Sequence, residues 1–423
     1  MTDIDVETTQ DETLYGLQTE LAVRNFAGEE RKLRDVPQLV RSYAYVKSAA
    51  AWANGELEVL TAPQVRAIQA ACAEMAEGLL DDAFPSALVL GGGGTSTNMN
   101  VNEVIARRAT QIGGIPLHPN DHINASQSTN DTYPTAMALA VHELINTPVR
   151  ELHLLAEAFE TKAKEFNDTV RLGRTCLQDA VTLTVGQTHR AHALSIRKAA
   201  RVLNAAAEGL LNVPLGATVL GTGVGAPDGY QALALQELAR LTGHPVKASE
   251  DLFESLSNLD PYAEVAGSGA RVAIAMAKIS ADLRFLSSGP VGGIAEVTLP
   301  TVQAGSSIMP GKVNPAIPEY VMQLSYRVRG NAHTVEAAVA AGELELNIME
   351  PVIVDALTRI LQDLSNSAHA FTELCVRGLV WDGDRLNSNA QGDFGRWVAL
   401  AAEEGYDVAT RAVRASRGGA NHD

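Results

Sequence analysis

The chain has 423 residues, enough for two or three domains around a large buried core. Hydrophobic residues make up 46% and aromatic residues only 5%, a balance rich in Ala and Leu that favours helical packing over a β-sandwich. The formal charge of -17 argues against nucleic acid and anionic membranes as partners, and it means that an anionic substrate needs a locally positive or donor-rich pocket.

Residues 1 to about 13 are polar and expected to fray. They lack the apolar stretch of a signal peptide. Residues 36–53 and 63–80 carry apolar side chains at helical spacing and predict two helices. Residues 91–130 read as irregular and polar, with a helix over about 100–113. Long helices are predicted over 134–167, 183–212, 262–288 and 317–341, and a further one over 351–376. Helices of roughly 25–30 residues exceed the usual globular length of about 10–14, so several together suggest a bundle. Their apolar residues cover more than one face, which suggests burial against partner subunits. Gly-rich joints fall at 215–229 and 289–305, and after Val380 two short helices and a disordered end are expected. No run of about 18 apolar residues occurs, so no membrane span is expected. Cys72, Cys176 and Cys375 have no zinc spacing, and a reducing, cytoplasmic compartment is the default.

Four polar stretches could carry chemistry. The first, GGGGTSTNMNVNE from Gly91, lacks the Gly-Lys-Ser/Thr ending of a phosphate loop. It reads either as an anion cradle or as a turn that satisfies its own backbone, and Asn98, Asn100 and Asn102 are assigned mainly to the latter. The second runs from His118 to Pro134 and just precedes a long helix, whose amino end favours anions. Here His118 and His122 are read as structural. The third is GRTCLQDA from Gly173, in which Cys176 is either a packed small residue or a direct contact. The fourth is GSSIMPGKVNP from Gly305, with two adjacent hydroxyls, a lysine and an amide between conformation-limiting Gly and Pro residues. Asn314-Pro315 predicts a helix start. On these residues alone it is either a functional loop or a Gly/Pro turn with capping groups. His189 and His192 share a helix face, but no carboxylate set completes a metal site, so no catalytic metal and no cofactor is expected.

GSSIMPGKVNP resembles the signature of the aspartase/fumarase superfamily, and the likeness extends from about Tyr15 to Val376. The resemblance implies an all-α, three-part fold: an N-terminal helical domain over 1–133, a central long-helix bundle over 134–377 that forms a tetrameric core, and a shortened C-terminal region over 378–423. It implies a homotetramer with each active site assembled from three subunits, and β-elimination from an aspartate-like dicarboxylate to give fumarate and ammonia. Ser306 would be the general base on a mobile loop, supported by Ser307, Lys312 and Asn314. Thr95, Ser96, Ser128, Thr129, Asn130, Thr175 and Cys176 would contact the substrate.

Cys176 departs from the pattern, because fumarases have His there, paired with a glutamate matched here by Glu319, and aspartases have His or Gln. A thiol with a reference pKa near 8.5 does not replace an imidazole near neutral pH. That counts against hydration chemistry, as does Met349-Glu350 where fumarases tend to have Phe-Arg. The alternatives are a lyase for a substituted aspartate or nitrosuccinate, a fumarate hydratase, and an inactive structural homologue.

Overall fold

The computed structural model describes residues 13–416. The expected frayed start, up to residue 12, and the expected disordered end, from residue 417, lie outside the described residues. The described residues are 66% helical and include fourteen α-helices, so the fold is all-α as expected. The helices are α1 (Leu17–Asn25), α2 (Pro37–Glu56), α3 (Ala62–Ala76), α4 (Thr95–Gly113), α5 (Thr129–Glu165), α6 (Val185–Glu208), α7 (Tyr230–Thr242) and α8 (Leu252–Ser257). They continue with α9 (Asp260–Leu286), α10 (Ala316–Val339), α11 (Glu350–Leu374), α12 (Gly383–Ala390), α13 (Gly395–Glu404) and α14 (Tyr406–Ser416). The five long helices, α5, α6, α9, α10 and α11, fall where the apolar periodicity predicts them.

The chain divides into two compact units. The first holds the chain up to Pro148, Val202–Ala270 and Arg327–Asp363; the second holds Val149–Arg201, Arg271–Tyr326 and the chain from Leu364.

In the first unit α2 lies against α3 and α7, and α3 against α4. Pro37 opens α2 at a position where a missing N–H costs nothing. Leu39, Tyr43, Val46, Ala49, Ala50 and Ala53 of this helix are all fully buried. The alanines let neighbouring helices approach, and the larger side chains each contribute about 1.5–3 kcal/mol by leaving water. Thr61 begins α3 with a capping box, since Gln64 Oε1 accepts the Thr61 N–H at 2.8 Å. The start of α1 is held by a side chain of another helix: Glu103 on α4 accepts the N–H groups of Gly16, Gln18 and Thr19 at 2.9–3.2 Å.

In the second unit an antiparallel hairpin, β1 (Val170–Thr175) and β2 (Gln178–Thr184), interrupts the helices. Its alternating Val, Leu and Thr residues suit a pleated surface. Thr175 pairs with Gln178, so Cys176 and Leu177 form a two-residue turn. Both have positive φ, 51° and 60°, as a primed hairpin turn requires, although neither is the Gly or Asn that adopts it freely. The apolar interior includes Phe159 and Phe371, whose rings meet edge to face at 5.9 Å.

Candidate active site

The site residues divide between the two units. In the first, Thr95 opens α4 and Thr129 opens α5. Gly94 precedes Thr95 with φ 77°, and a Cβ there would meet the Tyr133 ring at 2.2 Å, so only glycine lets the chain turn into α4 at this point. The helix therefore begins five residues earlier than the sequence pattern predicts.

That earlier start changes the role of the asparagines. Asn98, Asn100 and Asn102 sit inside α4, each at most 2% exposed, and do not serve a local turn. Asn100 bonds the Ala83 carbonyl. Asn98 Nδ2 donates to Thr129 Oγ1 and to Asn124 Oδ1, both at 3.1 Å, and Asn102 Nδ2 reaches Asn124 Oδ1 at 3.2 Å. Asn98 thus ties the Thr95 block to the Ser128–Asn130 block. It also sets proton direction. Thr129 Oγ1 accepts from Asn98, and Ser128 Oγ accepts the Asn130 N–H at 3.2 Å, so both hydroxyl protons are free to be donated. Two free O–H donors at the amino end of a 37-residue helix suit a carboxylate. Thr95 Oγ1 instead donates to the Gly92 carbonyl at 2.9 Å and presents lone pairs, which suit an ammonium group. Ser96 beside it is half-buried. Asn130 Nδ2 is engaged with the Val219 carbonyl at 2.9 Å.

Beneath these hydroxyls lie two charged groups that sequence reading did not single out. Asp131 is fully buried; one carboxylate oxygen accepts the Ser128 N–H at 3.0 Å, and the other accepts those of Gly216 and Thr218 at 3.1 and 3.0 Å. Burial pushes its carboxyl up to about 7, and the three backbone donors oppose that shift. Lys47 is equally buried and donates to Asn124 Oδ1 at 2.9 Å and Gln127 Oε1 at 3.0 Å. Burial pushes its ammonium down to about 7, with Asp131 opposing. A lysine inside the alanine-rich, apolar face of α2 was the available sequence signal. His118 and His122 behave as structural groups: His118 donates its N–H to His122 Nδ1 at 2.8 Å, and its own ring accepts from Asn120 and Asp121.

In the second unit, Thr175 and Cys176 are exposed at the tip of the hairpin. The reading of Cys176 as a packed small residue is therefore wrong: the β-turn lifts it out of the protein.

The Gly305–Pro315 stretch is a closed loop. The Gly305 N–H donates to the Lys312 carbonyl at 2.9 Å, and Asn314 Nδ2 donates to the Gly305 carbonyl at 2.9 Å. A Cβ on Gly305 would meet the Lys312 oxygen at 2.5 Å, which explains the glycine. Asn314 thus closes the loop with its side chain, and α10 begins at Ala316, just past Pro315. Inside the loop, Ser306 Oγ accepts two backbone N–H groups, from Ile308 at 3.2 Å and Met309 at 3.0 Å. Ser307 and Lys312 are exposed beside it, and Ile308 is 84% exposed. At the start of α10, Glu319 pairs with Arg284 at 3.4 Å.

Backbone donors converge on a hydroxyl in the second unit, and free hydroxyl donors stand at a helix start in the first; each set suits an anion, as a helical lyase acting next to a carboxylate requires. The comparisons agree. The family model described as "Lyase" matches residues 6–330, and the chain belongs to that family. An aspartate ammonia-lyase of Escherichia coli is 45% identical over 372 residues, spanning 86% of this chain and 78% of that protein. A crystal structure of fumarate lyase:delta crystallin from Brucella melitensis superposes with a TM-score of 0.92 at 41% identity, covering 96% of this chain and 90% of that one. A class II fumarase from Schistosoma mansoni superposes with a TM-score of 0.90 at 31% identity, covering 95% and 89%.

Proposed function

We propose that this protein is an aspartate ammonia-lyase, which converts L-aspartate to fumarate and ammonia. The observation that carries this reading is the pair of backbone N–H groups on Ser306 Oγ. Ionised Ser306 takes a proton from the substrate's β-carbon. The electron pair left behind becomes the double bond as the Cα–N bond breaks, and the ammonium group leaves as neutral ammonia.

The energetics define what the site must supply. A hydroxyl of about the acidity of water, pKa roughly 15.7, must fall by about eight units to ionise near neutral pH. At about 1.4 kcal/mol per unit that is roughly 11 kcal/mol. Two N–H bonds to an anion supply about 3–6 kcal/mol together. The amino end of α10, which follows the loop directly, adds about 0.3–2 kcal/mol. The balance is assigned to Lys312 and to water exclusion when the loop closes. Ser307, Asn314, Ser128, Thr129 and Thr175 stabilise the doubly negative carboxylate formed on proton removal. Thr95, Ser96, Asn130 and Cys176 line the ammonium end.

We further assign a homotetramer in the cytoplasm. Large apolar residues stand exposed on the long helices, among them Leu194 on α6, Ile274 on α9 and Tyr326 on α10, at 52%, 53% and 59%. That pattern supports burial against partner subunits. No helix among the described residues is long and apolar enough to cross a membrane.

The test offers L-aspartate, malate and nitrosuccinate separately, following the ultraviolet absorbance of fumarate and the released ammonia, with the mass measured by light scattering. Ammonia and fumarate in equal amounts from aspartate alone, made by a tetramer, are expected. Exposed Cys176 favours one second reading, a lyase for a substituted aspartate, which predicts silence with all three substrates.

A further inference from the structure

On the function proposed above, Thr129 serves a carboxylate only while its hydroxyl proton points outward. The hydroxyl oxygen accepts from Asn98 Nδ2 at 3.1 Å, and the proton meets no acceptor among the described residues. This direction requires the Asn98 amide to stand with its NH₂ toward Thr129. Rotated by half a turn, Asn98 would offer its carbonyl oxygen instead, and the Thr129 proton would turn inward to meet it.

Asn124, in the segment before α5, holds the Asn98 amide in its donating orientation. Asn124 Oδ1 accepts from Lys47 Nζ at 2.9 Å, from Asn98 Nδ2 at 3.1 Å and from Asn102 Nδ2 at 3.2 Å. An ammonium group has donors only, so the Asn124 atom that faces Lys47 must be the oxygen. A backbone carbonyl has lone pairs only, and Asn124 Nδ2 donates to that of Gln127 at 3.2 Å. Two groups of fixed character therefore set the same orientation of Asn124 from its two sides. A rotated Asn98 would put its own carbonyl oxygen against Asn124 Oδ1 with no proton between them.

The surroundings keep Asn124 and Lys47 together. Gln127 Nε2 donates to the carbonyls of Ile123 and Ala125 at 2.9 and 3.0 Å, which turns Gln127 Oε1 toward Lys47 Nζ at 3.0 Å. Asn54 on α2, the helix that carries Lys47, donates to the Ala125 carbonyl at 2.9 Å. Lys47 and Asn98 are buried, so these bonds form in a medium less polar than water, where a mismatched partner costs more.

We propose that Asn124 is a positioning residue for the dicarboxylate: backed by Lys47, it holds Asn98 as a donor and so aims the Thr129 proton at the substrate carboxylate. The inference rests on Thr129 meeting that carboxylate, as the proposed function requires. Asn124 itself touches no substrate atom and acts through Asn98 and Thr129.

The test is a double-mutant cycle read by calorimetric titration with succinate. Asn124→Leu removes both polar atoms at nearly the same size, and Thr129→Val removes the hydroxyl. Asn124→Leu should weaken succinate about tenfold when Thr129 is present and less than about twofold in the Thr129→Val background, where the hydroxyl it acts through is gone. A role confined to holding the fold would weaken succinate by the same factor in both backgrounds. That result would overturn the proposal, as would succinate binding unchanged by Asn124→Leu. Leucine deprives the buried Lys47 of an acceptor, so Asn98→Leu and the pair Asn124→Leu with Lys47→Met go through the same cycle. Thermal melting shows which variants fold, and each folded one should lose its effect when Thr129 is valine. Succinate titration needs no turnover. A parent protein that binds succinate but releases no ammonia from aspartate would overturn the proposed function and leave the cycle to decide on Asn124. A parent protein that binds no succinate would overturn both.

Discussion

The Asp131 carboxylate holds the Ser128 backbone N–H at 3.0 Å, while its second oxygen takes two N–H groups from the 216–218 turn. This buried carboxyl thus fixes the start of α5, where the proposed carboxylate donors Ser128 and Thr129 stand. Asp131→Asn keeps the shape but replaces one acceptor with an amide NH₂. In either orientation at least one backbone donor loses its partner, at a cost on the order of 1–3 kcal/mol. The urea midpoint should fall accordingly. The displaced hydroxyls should raise KM for aspartate more than they lower kcat, and steady-state kinetics separate the two. An unchanged KM would remove Asp131 from any role in positioning the block.

Ser306→Ala removes the proposed base and leaves the loop closure through Gly305, Lys312 and Asn314 in place. Turnover should fall by on the order of a hundredfold to ten-thousandfold, the range of general base catalysis. Mass and melting temperature should stay as in the parent protein. Appreciable residual activity would mean that another group abstracts the proton.

How much of this was legible beforehand depended on the kind of signal. The five long helices were read from apolar periodicity, because burial of a helix face repeats in sequence. The Ser306 loop was read from a dense local pattern. The hairpin around Cys176 was not, because six- and seven-residue strands between long helices carry too few residues to outweigh the helical background. Asn98, Asn100 and Asn102 mislead for a related reason: polar residues after a glycine run look like a turn, and only packing shows them inside α4. Lys47 and Asp131 do not stand out in the sequence, which gives a residue's charge but not its burial, and burial is what makes these two informative. Asn98, which links two blocks 31 residues apart, could be recognised only once both were seen in space.

The three thiols differ in accessibility. Cys72 and Cys375 are buried, and burial pushes both thiols up to about 12, while Cys176 is exposed at the hairpin tip. Iodoacetamide should therefore modify one thiol per folded chain, at Cys176, and all three after denaturation; peptide mass spectrometry locates the label. If Cys176 borders the substrate as proposed, saturating succinate should slow the modification. Equal rates with and without succinate would place Cys176 away from the substrate.

Glu350 begins α11 at 2% exposure, near Tyr43, Tyr133 and Tyr262, and forms no ion pair among the described residues. Burial raises its carboxyl from 4.5 to about 8, so the folded protein holds a proton there that the unfolded chain has already released. The contribution to stability is therefore complete below about pH 4.5 and is lost as pH rises through about 8. Within that window the slope is at most about 1.4 kcal/mol per pH unit. Glu350→Gln imitates the neutral acid and cannot ionise. Urea denaturation of both proteins across this range isolates the residue, since every other titration is shared. The variant should gain on the parent steadily as pH rises, and the difference should flatten below the lower limit. A difference that does not change with pH would mean that the unfolded and folded proteins ionise this carboxyl alike, and that a cation or water reaches it inside the first unit.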